Sequence, residues 1–265
     1  MQTLIILYIA VLGLIIGSFL NVCIYRIPTE QSIISPPSHC TGCNTRLKAL
    51  DLIPVFSWVF LRGKCRYCGE KVSARYPIVE GLTSIVFVLS YLRFSISVEF
   101  LAAIVLSCLL ICEAFVDFDL KIIPNEFIVA GMLSGTALFV YNWFYPVSIY
   151  GDRVWYNPII GIVSGAGTLL LIAIVGSVAY KTDAMGMGDV KLLAVVGLFL
   201  GWRLTLVALL FSVIIAAITS LVLILLKKIN SKSEVPFGPF IAIGTFIAML
   251  YGWNIIEIYL GLYPK

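Results

Sequence analysis

The chain is poor in charge and all but devoid of histidine. Charged residues make up 12% of its 265 positions, against 61% hydrophobic, and its one histidine is His39. So little polar surface excludes a soluble globule. A single histidine excludes a zinc protease built on two helical histidines around a glutamate. It would leave a serine–histidine hydrolase only His39, with no glycine-flanked serine elbow nearby. Phosphate-binding and dinucleotide glycine fingerprints are missing as well. The net charge of +4 does not point to nucleic acid, because the basic residues border apolar runs, where they anchor topology and meet anionic lipid.

What the chain does have is a series of apolar runs long enough to cross a bilayer. They predict an all-α polytopic membrane protein with about eight transmembrane helices, at roughly 3–25, 77–92, 98–116, 127–145, 158–180, 190–201, 203–226 and 238–260. The sixth is short for a full crossing, so a seven-span or re-entrant arrangement stays open. The first run has no basic segment before it and no small-residue cleavage site, which makes it a retained anchor. Three segments follow: a first helix at 1–25, a small cytoplasmic domain at 26–76 between helices 1 and 2, and a transmembrane core at 77–265.

Charge asymmetry orients these spans. With 26–76 cytoplasmic, that side holds Arg26, Arg46, Lys48, Arg62, Lys64, Arg66, Lys71 and Arg75, then Lys121, Lys181, Lys191, Lys227, Lys228 and Lys232. Only Arg93, Arg153, Arg203 and Lys265 fall opposite, the bias that the positive-inside rule requires. Both chain termini then lie outside, and Asp117 and Asp189 share the cytoplasmic face.

The polar segment 26–76 carries two cysteine pairs, Cys40-Thr41-Gly42-Cys43 and Cys65-Arg66-Tyr67-Cys68, with 21 residues between them. Two such knuckles turn four thiolates towards one point, a tetrahedral sulfur site suited to zinc. A reducing compartment favours the metal; two short-range disulfides would require the opposite orientation. Four thiolates leave no open coordination position, so the role is structural. A thin apolar core around Trp58 would gain its fold largely from the metal. His39 beside Cys40 is read as a neighbour of the site, and Cys23, Cys108 and Cys112 as small apolar residues within spans.

Acidic residues at membrane depth are costly and mark a functional site by default. Asp117 ends an apolar run that only Glu113 interrupts; Asp189 closes Gly186-Met187-Gly188-Asp189. Two carboxyls sharing one proton can activate water against a peptide bond without a metal, so the pair predicts an intramembrane aspartic protease. Asp119 lies two residues on, cannot share a helical face with Asp117, and is placed further into the loop. Asp183, Glu126, Asp51 and Glu70 read as capping or solvated groups.

These motifs together resemble the type IV prepilin peptidases, the bifunctional leader peptidase and N-methyltransferase family of bacteria. The resemblance runs through Gly17-Ser18-Phe19-Leu20-Asn21-Val22, Arg26-Ile27-Pro28, the cysteine pairs, Ala74-Arg75-Tyr76-Pro77 with Glu80, Asp117 with Ile123-Pro124-Asn125, and Gly186-Met187-Gly188-Asp189. It implies a multi-pass protein of the bacterial inner membrane, with Asp117 and Asp189 as its catalytic pair. Its substrates would be type IV prepilins and pseudopilins, cut after a glycine at the cytoplasmic face. It also implies methylation of the new N-terminal residue, usually phenylalanine, with S-adenosylmethionine; no residue is assigned to that cofactor. Asp119 is a candidate to receive the basic leader. Two other classes stay open on the residues alone. A proton-coupled carrier would need acids near the bilayer midplane, and a metal-knuckle scaffold would leave both aspartates as caps.

Overall fold

Backbone inside hydrocarbon must satisfy its own N–H and C=O groups, so apolar runs of this length fold as helices. The computed structural model describes residues 1–152, 154–180, 186–230 and 235–261. Arg153, Lys181, Asp183, Lys232 and Lys265 lie outside the described residues. The helices are α1 (Gln2–Arg26), the short α2 (Phe56–Phe60), α3 (Arg75–Phe94), α4 (Val98–Leu120), α5 (Asn125–Phe144), α6 (Asn157–Tyr180), α7 (Met187–Leu225) and α8 (Gly238–Gly261). Among the described residues seven of these, all but α2, are long and apolar enough to cross a membrane. The chain divides into two compact units, Met1–Ile96 and Ser97–Lys265.

In the first unit α1 and α3 pack along their length and carry the cysteine loop between them. Association in lipid gains little from transferring apolar surface, so close packing and hydrogen bonds hold helices together. The Ser84 hydroxyl donates to Ala10 O (2.9 Å) and Asn21 Nδ2 to Tyr76 O (3.2 Å). Arg26, 8% exposed, turns back at the end of α1 and donates to Ser32 O and Pro36 O at 2.8 and 2.7 Å. Buried Glu80 on α3 accepts the N–H of Val55 at 2.7 Å, so that carboxylate ties the loop down.

In the second unit, α7 supplies both the sixth and the seventh predicted spans. Its 39 residues break at Gly201, whose φ of 72° and ψ of 172° belong to no helix. An L side chain rarely adopts such a φ, which is why glycine stands there. The break is a reversal: Leu193 O and Thr205 Cγ2, on either side of it, both stand against Gly165 of α6. Two antiparallel arms result, 187–200 and 202–225. The first is about 21 Å long at helical rise, short of the ~30 Å hydrocarbon core. That explains why the sixth apolar run is short.

Polar side chains fasten this reversal. Asn157 Oδ1 accepts from Trp202 N (3.1 Å), while its Nδ2 donates to Tyr150 O and Asp152 Oδ1. Asp152 pairs with Arg203 at 2.6 Å, and Tyr150 donates its hydroxyl to Leu198 O. The second arm then runs antiparallel to α8, with Leu204 against Gly252 and Ala208 against Gly244. The starts of α7 and α8 thereby fall at one end of the unit, the end where α4 finishes.

Candidate active site

α4 runs past the expected end of its span to Leu120, where Lys121 takes the left-handed conformation (φ 55°, ψ 38°) and returns its N–H to Asp117 O. Asp117 and Asp119 are therefore both helical, and Asp119 is not in a loop. Two residues turn a helix by about 200°, so they face opposite ways: Asp117 is 6% exposed, and Asp119 lies on the open side.

Asp117 Oδ2 accepts the backbone N–H of Gly238, the first residue of α8, at 2.8 Å. The first N–H groups of a helix have no partner within it and carry its positive end, so they suit a carboxylate. The contact is close: a Cβ on Gly238 would fall 2.8 Å from Oδ2 and 3.2 Å from the Asp117 Cβ, so the carboxylate would have to move. Asp189 sits half-buried in the first turn of α7, within electrostatic range of Asp117. Each aspartate is thus served by the head of a different helix. The α5 head is tied to the same place: Lys191 Nζ donates to Asn125 Oδ1 at 3.0 Å, and Ile123 packs against Gly188.

One buried acid here shows in the sequence only as the interruption of an apolar run. Glu113 lies one helical turn before Asp117, is 1% exposed, and has neither oxygen hydrogen-bonded among the described residues. Its spacing from Asp117 was the available signal, because residues four apart share a helical face. Of the acids read as capping or solvated, Glu126 is exposed in the first turn of α5 and Glu70 is exposed. Asp51 accepts Lys48 N, Arg66 Nε and the Tyr67 hydroxyl. Burial opposes its charge, but those three donors outweigh it and hold the carboxyl below its ordinary range.

In the first unit Cys40, Cys43, Cys65 and Cys68 converge, their sulfurs all within 4.8 Å of one another. None is in a disulfide. The two knuckles repeat one geometry. Cys40 N donates to Thr45 O and Asn44 N back to Cys40 O; Cys65 N donates to Glu70 O and Gly69 N back to Cys65 O. Antiparallel bridges His39–Arg46 and Lys64–Lys71 close them. The Thr45 hydroxyl, then the Thr45 backbone, hold the Cys43 thiol down at about 6. At Cys68 the Glu70 N–H pulls downward too, but burial and the neighbouring thiols push it up to about 12. His39 Nδ1 lies 3.1 Å from Pro37 O and is not among the converging donors. Cys23 and Cys112 are buried in helices, as small apolar residues would be. The four sulfurs form a cluster able to hold a metal ion.

Two family models match the chain, one over each region. The model of the Bacterial Peptidase A24 N-terminal domain matches residues 11–94, which contain the four cysteines, and that of the Type IV leader peptidase family matches residues 104–221, which contain both aspartates. A prepilin leader peptidase/N-methyltransferase of Bacillus subtilis (strain 168) is 35% identical over 257 residues, covering 95% of this chain and 96% of that protein. Proteins of the same name from Aeromonas hydrophila and from Xanthomonas campestris pv. campestris are 34% and 31% identical. Each covers 94% of this chain, which in turn spans 91% and 92% of theirs. No solved structure matches. With two family models in tandem and relatives matched almost end to end, this chain is a multi-pass membrane protein that belongs to the type IV leader peptidase family.

Proposed function

We propose that this chain is a prepilin leader peptidase and N-methyltransferase, with Asp117 and Asp189 as its catalytic pair. It cuts the short basic leader of type IV prepilins and pseudopilins after a glycine, then methylates the new N-terminal residue, usually phenylalanine. The observation that carries the peptidase reading is that Asp117, held by the head of α8, has the Asp189 carboxyl from the first turn of α7 within electrostatic range.

The pair holds a water. Gly238 occupies Asp117 Oδ2, which leaves Oδ1 to face the water and the substrate. The ionised carboxyl takes a proton from the water as its oxygen adds to the glycine carbonyl carbon. The protonated carboxyl donates to the carbonyl oxygen. When the tetrahedral intermediate collapses, the C–N bond breaks and the proton taken from water goes to the leaving amine. The one shared proton belongs to the pair and not to either member.

Cys40, Cys43, Cys65 and Cys68 would hold a structural zinc ion. Their sulfurs all lie within 4.8 Å of one another, Cys40 Sγ and Cys68 Sγ at 3.8 Å, and four thiolates so gathered would suit a closed tetrahedral zinc site. Bound there, the metal would fix two knuckles whose loop otherwise buries few apolar side chains. The methyltransferase half rests on the relatives' names; S-adenosylmethionine supplies the methyl group, and no residue is assigned to it. The positive-inside bias orients the cysteine loop and the aspartates towards the cytoplasm, in the bacterial inner membrane.

Cleavage of a prepilin with a Gly-Phe junction, by purified protein in detergent or liposomes, tests this reading. Wild type should cut once at that junction, and labelled S-adenosylmethionine should mark the mature N-terminus. No cleavage by a folded wild type would refute the peptidase, and cleavage without label would refute the methyltransferase.

A further inference from the structure

The cysteine loop turns apolar side chains outward. Residues 52–61 carry no charge and run through α2, and a loop that built its own core would hide them. Instead Phe56, Val59 and Phe60, which share one face of α2 at helical spacing, are 56%, 57% and 82% exposed. Trp58 takes the other side, donating Nε1 to Val72 O at 3.0 Å and lying over Gly63. Leu50, Leu52 and Ile53 extend the open face. Large apolar side chains exposed so close together mark an interaction surface.

The depth of this surface identifies what it meets. Val55 N donates to Glu80 Oε2 at 2.7 Å. Glu80 lies five residues into α3, about 8 Å at helical rise, and stands against Gly17, nine residues and about 14 Å before the end of α1. A helical side chain leans back towards the N-terminus by less than a turn. Val55 is therefore level with the start of α3 and short of the end of α1. The 20 residues of α3 match the ~30 Å hydrocarbon core, so its start lies at the boundary of the lipid. Val55 has φ 61° and ψ −51°, a strained conformation for a β-branched residue, and the Glu80 bond holds it there. α2 begins at the next residue, and so at the same depth.

We propose that α2 is an interfacial foot: Phe56, Val59 and Phe60 lie among the lipids of the leaflet from which the cysteine loop emerges, and flanking cations hold anionic headgroups. Lys48 precedes the apolar run, and Arg62 and Lys64 follow it, all three exposed. Asp51, whose charge would repel such headgroups, is engaged by Arg66 and Tyr67. An apolar face bordered by cations matches a lipid surface, where each basic residue adds attraction to anionic headgroups. The foot holds the four-cysteine cluster at a fixed height over the membrane. This inference rests on the multi-pass reading of the chain and not on the peptidase chemistry.

The test is photocrosslinking of full-length protein in vesicles of equal phosphatidylcholine and phosphatidylglycerol. The photoreactive p-benzoylphenylalanine replaces Phe60, Phe56 or, on the exposed second knuckle, Lys71, and a thermal melt shows each variant folded. Light should attach lipid at 60 and 56 but not at 71, with phosphatidylglycerol adducts exceeding phosphatidylcholine adducts by about threefold or more. Adding Lys48→Gln, Arg62→Gln and Lys64→Gln together should bring that ratio close to one. Attachment at 60 and 56 to protein, whether a second copy or an added prepilin, would overturn the inference. So would no adduct at either position, or lipid adducts at 71 as abundant as at 60. Equal adducts from the two lipids with all three cations in place would overturn the headgroup preference. Failure of both phenylalanine variants to fold would overturn the foot, since those side chains would then belong to a core.

Discussion

The backbone N–H of Gly238 donates to Asp117 Oδ2 across 2.8 Å of space and 121 residues of chain. One end of α8 therefore fixes the orientation of a carboxylate at the end of α4. The bond occupies one oxygen, and the proposed mechanism uses the other. It also brings the positive end of a 24-residue helix to a negative side chain that stands at the negative end of its own helix.

Gly238→Ala tests that contact. Its Cβ would press on Oδ2 at 2.8 Å, so the carboxylate that this residue's own N–H holds must shift. Displacement of a catalytic group by a fraction of an ångström lowers turnover by about 10- to 100-fold. We expect that loss in kcat with little change in KM, read in the cleavage assay beside a thermal melt showing the variant folded. Wild-type turnover would contradict the assignment of Gly238 to the site.

Asp119 faces away from Asp117, on the open side of α4. Asp119→Asn should leave turnover within about threefold, because an exposed charge acts weakly through water. A loss as deep as that of Asp117→Asn would place the chemistry on the other face of the helix. A selective rise in KM would instead support contact with the basic leader.

The four-sulfur cluster makes a compositional prediction. Purified protein should contain one zinc per chain by elemental analysis. Cys43→Ser or Cys65→Ser should lose most of the metal and lower the melting temperature of the cysteine loop. Acid should also release it, since protons compete for thiolates: affinity falls as pH falls. Zinc content unchanged in both serine variants would refute the assignment.

Gly201→Ala should destabilise the protein without touching the chemistry. A φ of 72° is strained for any L side chain, and the new Cβ would meet Asn157 Oδ1. A cost of about 2 kcal/mol follows from the backbone and the contact together. Denaturation in detergent should show that loss while kcat per folded molecule is unchanged, because the reversal lies at the far end of the unit from Asp117.

Much of this was legible in the sequence because it depends on local pattern. Apolar runs of bilayer length can only be helices, and cysteine pairs two residues apart can converge wherever a chain brings two knuckles together. The break between the sixth and seventh runs was also visible. That Gly201 reverses the chain was not, because the reversal is held by Asn157, Tyr150 and Asp152 from elsewhere in the sequence. The end of α4 was misplaced for a local reason: Lys121 closes the helix in a left-handed conformation, and lysine carries no signal for it. The Gly238–Asp117 bond joins residues 121 apart, beyond any pattern that spacing can reveal. Glu113 was readable in principle, through its four-residue spacing from Asp117, but its burial was not.

The most direct test of the account compares prepilin cleavage by wild type, Asp117→Asn and Asp189→Asn, each shown to be folded and inserted. Each substitution keeps the side chain's shape and removes the ability to hand on a proton. The account predicts that both lower kcat by about 1,000-fold or more, and that the double variant falls little further, since the two act as one unit. Substantial cleavage by either single variant would contradict the aspartic pair.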